Sequence, residues 1–168
     1  MIIYVTGGVR SGKSRYAQNL ALSLSPEPVY IATAQVMEED FAARVNRHKQ
    51  ERGSQWTTYE VHRELYKLPL HHKTVVIDCV TLWLTGFFME HRYDIERSLK
   101  DFKSEIEQII KLPGTFIIIS NELGMGLHAE TVMGRMFTDL QGWANQYVVG
   151  AADKAVFMVS GIPLDLKK

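Results

Sequence analysis

Residues 7–14 read Gly7-Gly8-Val9-Arg10-Ser11-Gly12-Lys13-Ser14, a complete Gly-x-x-x-x-Gly-Lys-Ser pattern. The apolar run Met1-Ile2-Ile3-Tyr4-Val5 precedes it and a helix-like stretch, Arg15 to Leu24, follows. Strand, glycine loop and helix in that order are the context a phosphate-binding loop requires. The backbone N–H groups of such a loop and the N-terminus of the next helix converge on one place and favour negative charge there. Lys13 then reaches the β- and γ-phosphates, and the Ser14 hydroxyl is placed to ligate Mg²⁺. The motif therefore commits the chain to an α/β sheet with a nucleoside triphosphate at one end.

The rest of the sequence alternates short apolar runs with longer amphipathic ones. Strands are expected at Ile2–Thr6, Val29–Thr33, Gln55–Glu60, Thr74–Asp78 and Thr115–Ser120, with Ala155–Ser160 as the last. Helices are expected at Ser14–Leu24, from Glu38 to about Arg52, at Val80–Glu90, at Ile95–Lys111 and at Glu130–Val149. Ser25, Pro26 and Pro28 stop the first helix and Gly53 closes the second. Strands with few polar residues that alternate with helices indicate a mostly parallel sheet covered on both faces, a phosphate-loop NTPase of RecA-like type. No linker, repeat or low-complexity tract interrupts residues 1–168, which read as a single domain.

Composition narrows the function classes. Lys plus Arg and Asp plus Glu both number 19, so bulk charge offers nothing that would attract nucleic acid. A chain near neutrality also gains little repulsion against self-association. The single cysteine, Cys79, excludes an internal disulfide and a multi-cysteine metal site. No apolar run approaches the length of a membrane span, and Met1 leads directly into a strand, so the chain reads as cytoplasmic.

Four further features carry candidate chemistry. Asp78 ends a buried strand, where an acid in a phosphate-loop fold orders Mg²⁺ directly or through its water ligands, or else caps the helix that follows. His48 is surrounded by Arg44, Arg47, Lys49 and Arg52. These cations disfavour imidazolium and keep the ring neutral and nucleophilic, although a histidine on a polar helix is commonly just solvated. Ser120-Asn121-Glu122-Leu123-Gly124-Met125-Gly126 follows a buried strand, where open sheets place their binding crevice. Arg135, Asp139, Asn145 and Gln146 recur at near-helical spacing and read as a solvated face. His62, His71, His72, His91 and His128 show no metal-ligand spacing.

Several strings occur in a fixed order. They are Gly7–Ser14 with Arg15, Tyr30-Ile31-Ala32-Thr33-Ala34, Arg44-Val45-x-x-His48-Lys49-x-x-Arg52, and Trp56-x-Thr58-x-Glu60. After them come Asp78-Cys79-Val80-Thr81-Leu82-Trp83-Leu84-Thr85, Ser120–Gly126, and Val159-Ser160-Gly161-Ile162-Pro163-Leu164. Together they resemble the bifunctional adenosylcobinamide kinase / adenosylcobinamide-phosphate guanylyltransferase family of cobalamin biosynthesis, from Met1 to the C-terminus. The resemblance implies two reactions. A nucleoside triphosphate, ATP or GTP, phosphorylates the aminopropanol hydroxyl of adenosylcobinamide. GTP then guanylylates a histidine, and GMP passes to adenosylcobinamide phosphate to give adenosylcobinamide-GDP.

The same resemblance places the guanylylated histidine on His48 and the triphosphate on Gly7–Ser14, with Lys13 serving catalysis. It places further nucleotide contacts on Ala32, Thr33, Ala34, Lys49, Gln50, Glu51, Arg52, Glu60 and Asp78, while the Mg²⁺ assignment to Ser14 and Asp78 comes from the phosphate loop and the strand-end acid themselves. It also implies a homotrimer. The chain departs from the family pattern at Gly86-Phe87-Phe88, at Leu127-His128-Ala129-Glu130 and at Gly142-Trp143-Ala144 before Asn145-Gln146. These departures bear on corrinoid contacts and subunit packing, not on the phosphate loop or His48. Two other functions fit the phosphate loop alone: a kinase of another small hydroxyl compound, and a non-catalytic nucleotide-dependent switch.

Overall fold

A computed structural model describes residues 1–34 and 53–168. The expected helix from Glu38 to Arg52, with His48, Lys49, Gln50, Glu51 and Arg52, lies outside the described residues. The strands are β1 (Ile2–Gly7), β2 (Val29–Ala32), β3 (Thr57–Glu60), β4 (Lys73–Asp78), β5 (Gly114–Ile119), β6 (Lys154–Val159) and β7 (Ile162–Lys167). The described α-helices are α1 (Lys13–Leu24), α2 (Val80–Glu90), α3 (Ile95–Ile110) and α4 (Val132–Ala151). A short 3₁₀ turn, Leu65–Lys67, precedes β4.

The seven strands form one sheet in the order β3-β2-β4-β5-β1-β6-β7. Every pairing is parallel except β6 with β7. β1, β4 and β5 are apolar on both faces because both faces are covered, as the sequence pattern required. On one face Ile2, Tyr4, Ile31, Val75, Ile77, Phe116 and Ile118 pack against Trp83, Phe87, Phe102, Ile106, Leu140 and Val148 of α2, α3 and α4. On the other, Ile3, Val5, Tyr30, Val76, Ile117 and Ile119 pack with Ala17 and Ala21 of α1. The small alanines let α1 lie close to the sheet and keep the phosphate loop at its edge.

Helix boundaries follow capping chemistry. Asp94 caps α3 by accepting the Arg97 N–H at 3.0 Å, and Thr131 caps α4 by accepting from Gly134 at 3.0 Å. The α4 helix accordingly starts at Val132, not Glu130, and runs on to Ala151.

The expected last strand, Ala155–Ser160, is followed by another. The chain turns at Ser160 and Gly161, both at positive φ, and returns antiparallel as β7. Pro163 is tolerated there because β7 is the sheet's edge.

Trp83 anchors the larger core. It is fully buried, meets Phe102 edge-on at 5.3 Å between centroids, and donates Nε1–H to the His62 carbonyl at 2.8 Å. Trp83→Ala empties that space and orphans the carbonyl, so it should cost about 3–5 kcal/mol. Urea denaturation followed by far-UV circular dichroism measures this, and a loss below about 1 kcal/mol would show that Trp83 is not the anchor.

Candidate active site

Register brings the carboxyl ends of the parallel strands to one edge. Val5 of β1 pairs with Ile119 of β5, Ile119 with Asp78 of β4, Asp78 with Ala32 of β2, and Ala32 with Glu60 of β3. The phosphate loop leaves β1 at that edge, so Gly7–Ser14, Ala32–Ala34, Glu60, Asp78 and Ser120 share it. This is the crevice where open α/β sheets bind ligands.

Two glycines make the loop possible. Gly7 has φ +149°, and a Cβ there would lie 2.3 Å from the Met158 carbonyl oxygen. Gly12 has φ +95° at the start of α1, and its Cβ would lie 3.3 Å from the Gly161 Cα. A side chain at either position is therefore strained by conformation and by contact. The turn between β6 and β7 also supports the loop directly, because Gly161 N–H donates to the Ser11 carbonyl at 3.0 Å.

Lys13 is buried and folds over the loop, its Nζ donating to the Gly8 carbonyl at 2.6 Å and lying 3.4 Å from Ser11 Oγ. Ser14 Oγ donates to Asp78 Oδ2 at 2.8 Å, and the Tyr30 hydroxyl donates to the same oxygen at 2.7 Å. Thr33 is fully buried and ties β2 to the residues after Ile77, its N–H donating to the Asp78 carbonyl at 3.1 Å and its Oγ1 to the Cys79 carbonyl at 2.7 Å. The capping alternative for Asp78 fails, because Cys79 is the N-cap of α2 and Asp78 makes its side-chain hydrogen bonds with Ser14 and Tyr30 among the described residues.

Ser14 and Asp78 suit Mg²⁺ chemically. Both present hard oxygen donors, side by side. Among the described residues no cluster of three or more His, Cys, Asp or Glu side chains forms a protein cage.

The strand-end segment after β5 is held by a network that the sequence reading did not assign. Ser120 Oγ donates to Asn145 Oδ1 at 2.6 Å and accepts from Gln141 Nε2 at 2.9 Å. Asn145 Nδ2 donates to the Asn121 carbonyl at 3.1 Å, and Asn121 Nδ2 donates to Thr81 Oγ1 at 2.9 Å. Glu122 N–H then donates to the Gly7 carbonyl at 3.0 Å, which joins this segment to the phosphate loop. Arg135, Asp139 and Gln146 are exposed as expected, but Asn145 is buried. It leaves the solvated face because Ser120 and Asn121 supply its partners. Single-residue periodicity carries no signal for that; the pairing of a Ser-Asn strand end with a Gln-x-x-x-Asn helix repeat does.

A parallel sheet whose carboxyl edge carries a glycine loop, an invaginated lysine and a Ser–Asp oxygen pair defines a phosphate-loop nucleotide-binding protein. The model of the cobinamide kinase / cobinamide phosphate guanyltransferase family matches residues 3–166, and the chain belongs to that family. The bifunctional adenosylcobalamin biosynthesis protein CobU of Escherichia coli (strain K12) is 33% identical over 183 residues, covering 99% of this chain and 100% of that protein. The corresponding CobP of Pseudomonas aeruginosa is 33% identical over 170 residues, covering 97% and 95%. The solved flagellar accessory protein FlaH from Methanocaldococcus jannaschii aligns at a TM-score of 0.49 and 13% identity, over 99% of this chain and 77% of that one. No helix among the described residues is long and apolar enough to cross a membrane.

Cys79 stands beside this edge yet is chemically quiet. Burial, reinforced by the neighbouring Asp78 charge, pushes its thiol up to about 12. At pH 8 the thiolate, the reactive form, is therefore scarce, and the side chain is inaccessible. Native protein should label with a chromogenic disulfide reagent at least about a hundredfold slower than protein in denaturant. Equal rates would place Cys79 at the surface.

Proposed function

We propose that this protein phosphorylates adenosylcobinamide and then transfers GMP to the product through a guanylyl-histidine at His48, in the cytoplasm, as a homotrimer. The observation that carries the reading is the joined Lys13, Ser14 and Asp78 edge in a chain of this family. In the kinase step the aminopropanol hydroxyl oxygen attacks the γ-phosphorus and gives up its proton to solvent, the bond to the β,γ-bridging oxygen breaks, and the nucleoside diphosphate leaves with that electron pair. Lys13 supplies fixed positive charge to the phosphate oxygens. Ser14 and Asp78 would hold Mg²⁺, which neutralises charge on the β- and γ-oxygens when bound.

In the second reaction a neutral nitrogen of His48 attacks the α-phosphorus of GTP, forming a P–N bond and expelling pyrophosphate. An oxygen of adenosylcobinamide phosphate then attacks the same phosphorus, and the P–N bond breaks as the imidazole nitrogen is protonated. The covalent intermediate divides one hard displacement into two. The basic residues Arg44, Arg47, Lys49 and Arg52 are suited to stabilise the charge on the phosphates and on departing pyrophosphate. Exposed Ile162, Leu164 and Leu166 at alternate positions of the edge strand β7 support the reading of a self-associating chain.

Intact mass after incubation with GTP and Mg²⁺ tests the class, since a plain kinase or a nucleotide switch retains no GMP. The adduct should be lost in mild acid and survive base, as a phosphoramidate does; the reverse lability would remove histidine from the mechanism. His48→Asn should lower guanylyl transfer by at least about a hundredfold and leave most of the kinase activity, because that step's nucleophile comes with the acceptor. Lys13→Ala should lower both activities by about 10²–10³. Full guanylyl transfer without kinase activity in Lys13→Ala would mean two separate nucleotide sites.

A further inference from the structure

We infer that Tyr30 is a positioning residue for the metal-bound triphosphate: its buried hydroxyl fixes one oxygen of Asp78 so that the other is presented to the cation. The inference rests on the proposed Mg²⁺-nucleotide reading of the Ser14–Asp78 edge. Tyr30 lies on β2 opposite Val76 of β4, so Asp78 is its diagonal neighbour two residues further along the same sheet face. A phenol is long enough to span that diagonal. Its hydroxyl reaches Asp78 Oδ2 at 2.7 Å, while the side chain as a whole is only 4% exposed. Trp56 meets the ring edge-on, 6.0 Å between centroids at 83°, and so restricts its tilt.

The choice of oxygen carries the argument. Ser14 Oγ and Tyr30 both donate to Oδ2, and no hydrogen bond from a described residue reaches Oδ1. The two donors are not equivalent in use. Ser14 must turn its hydroxyl oxygen toward a cation in order to ligate it, and its hydrogen bond to Asp78 is then free to change. The Tyr30 hydroxyl, carried by a buried side chain of β2, continues to hold Oδ2. Partners of this kind behind a metal-associated carboxylate set its orientation, and losing one typically weakens metal affinity about 10–100-fold.

The test is Mn²⁺ titration by electron paramagnetic resonance of the full chain saturated with a non-hydrolysable GTP analogue. Tyr30→Phe keeps the ring and removes only the hydroxyl. It should weaken Mn²⁺ binding about tenfold, with metal-free nucleotide affinity and thermal midpoint near those of the parent protein. In steady state the Mg²⁺ concentration for half-maximal kinase rate should rise, with nucleotide KM at saturating Mg²⁺ little changed. Trp56→Leu, which leaves the hydroxyl but frees the ring, should shift Mn²⁺ affinity in the same direction by less. Unchanged Mn²⁺ affinity in Tyr30→Phe, alongside a large loss in Asp78→Asn, overturns the role of Tyr30 and leaves the metal site standing. Unchanged affinity in Asp78→Asn as well overturns both the inference and the reading on which it rests.

Discussion

Strand β1 is hydrogen-bonded on both sides, to β5 and to β6, and ends in a glycine pressed against the Met158 carbonyl. This double parallel pairing fixes where the phosphate loop begins. A slip of one residue would turn Ile3 and Val5 toward the opposite helical layer and move the loop off the edge. It would also break the Glu122 and Gly161 hydrogen bonds to the loop, which reach it from the two flanking strands. The anion-binding geometry is thus a property of the sheet, and the eight-residue motif works only because its neighbours on both sides are set by register.

The polar residues at this edge are fixed in the same way. Asp78 is joined to α1 through Ser14 and to β2 through Tyr30, and its backbone carbonyl accepts from Thr33. Ser120 and Asn121 are joined to α4 and α2 through Gln141, Asn145 and Thr81. Each bond contributes only about 1 kcal/mol net, but each partner left alone in this buried setting costs more than that. Fixed dipoles and charges at a phosphate site need no reorganisation when charge develops, which is where electrostatic catalysis gains most.

The fold was legible where one segment carries its own signal. The apolar runs at β1, β4 and β5 mark a two-sided sheet, and the glycine-lysine-serine spacing marks the loop without help from any other residue. Asp78 was legible as an acid at a strand end; its bond to Ser14, and Cys79 in the N-cap position of the next helix, were not. Tyr30 and Asn145 were not legible as site residues. Each acts through a partner far along the chain, 48 residues for Tyr30 and Asp78 and 25 for Asn145 and Ser120, and sequence periodicity describes only neighbours on one element. The strand β7 did carry alternation, Ile162, Leu164 and Leu166, but its pairing with β6 depends on the turn at Ser160-Gly161, whose positive φ values no apolar pattern encodes.

The departures from the family pattern take on meaning once placed in the fold. Gly86, Phe87 and Phe88 are buried in α2, where Phe88 packs on Phe137 of α4 at 5.6 Å and on Tyr93 at 5.3 Å. The Arg63 guanidinium stacks 3.7 Å above the Phe87 ring while pairing with Glu90 and, at 3.6 Å, Asp101. Trp143 lies half-exposed on α4 in a groove with Ile95 and Leu99 of α3. These positions belong to the helical layer, and none contacts Lys13, Ser14 or Asp78 through a hydrogen bond or ion pair among the described residues. Substitution there re-forms the packing of helix on helix, which tolerates exchange of one apolar shape for another when volume is kept. The strand-end residues have no such latitude, since a buried donor can be exchanged only together with its acceptor.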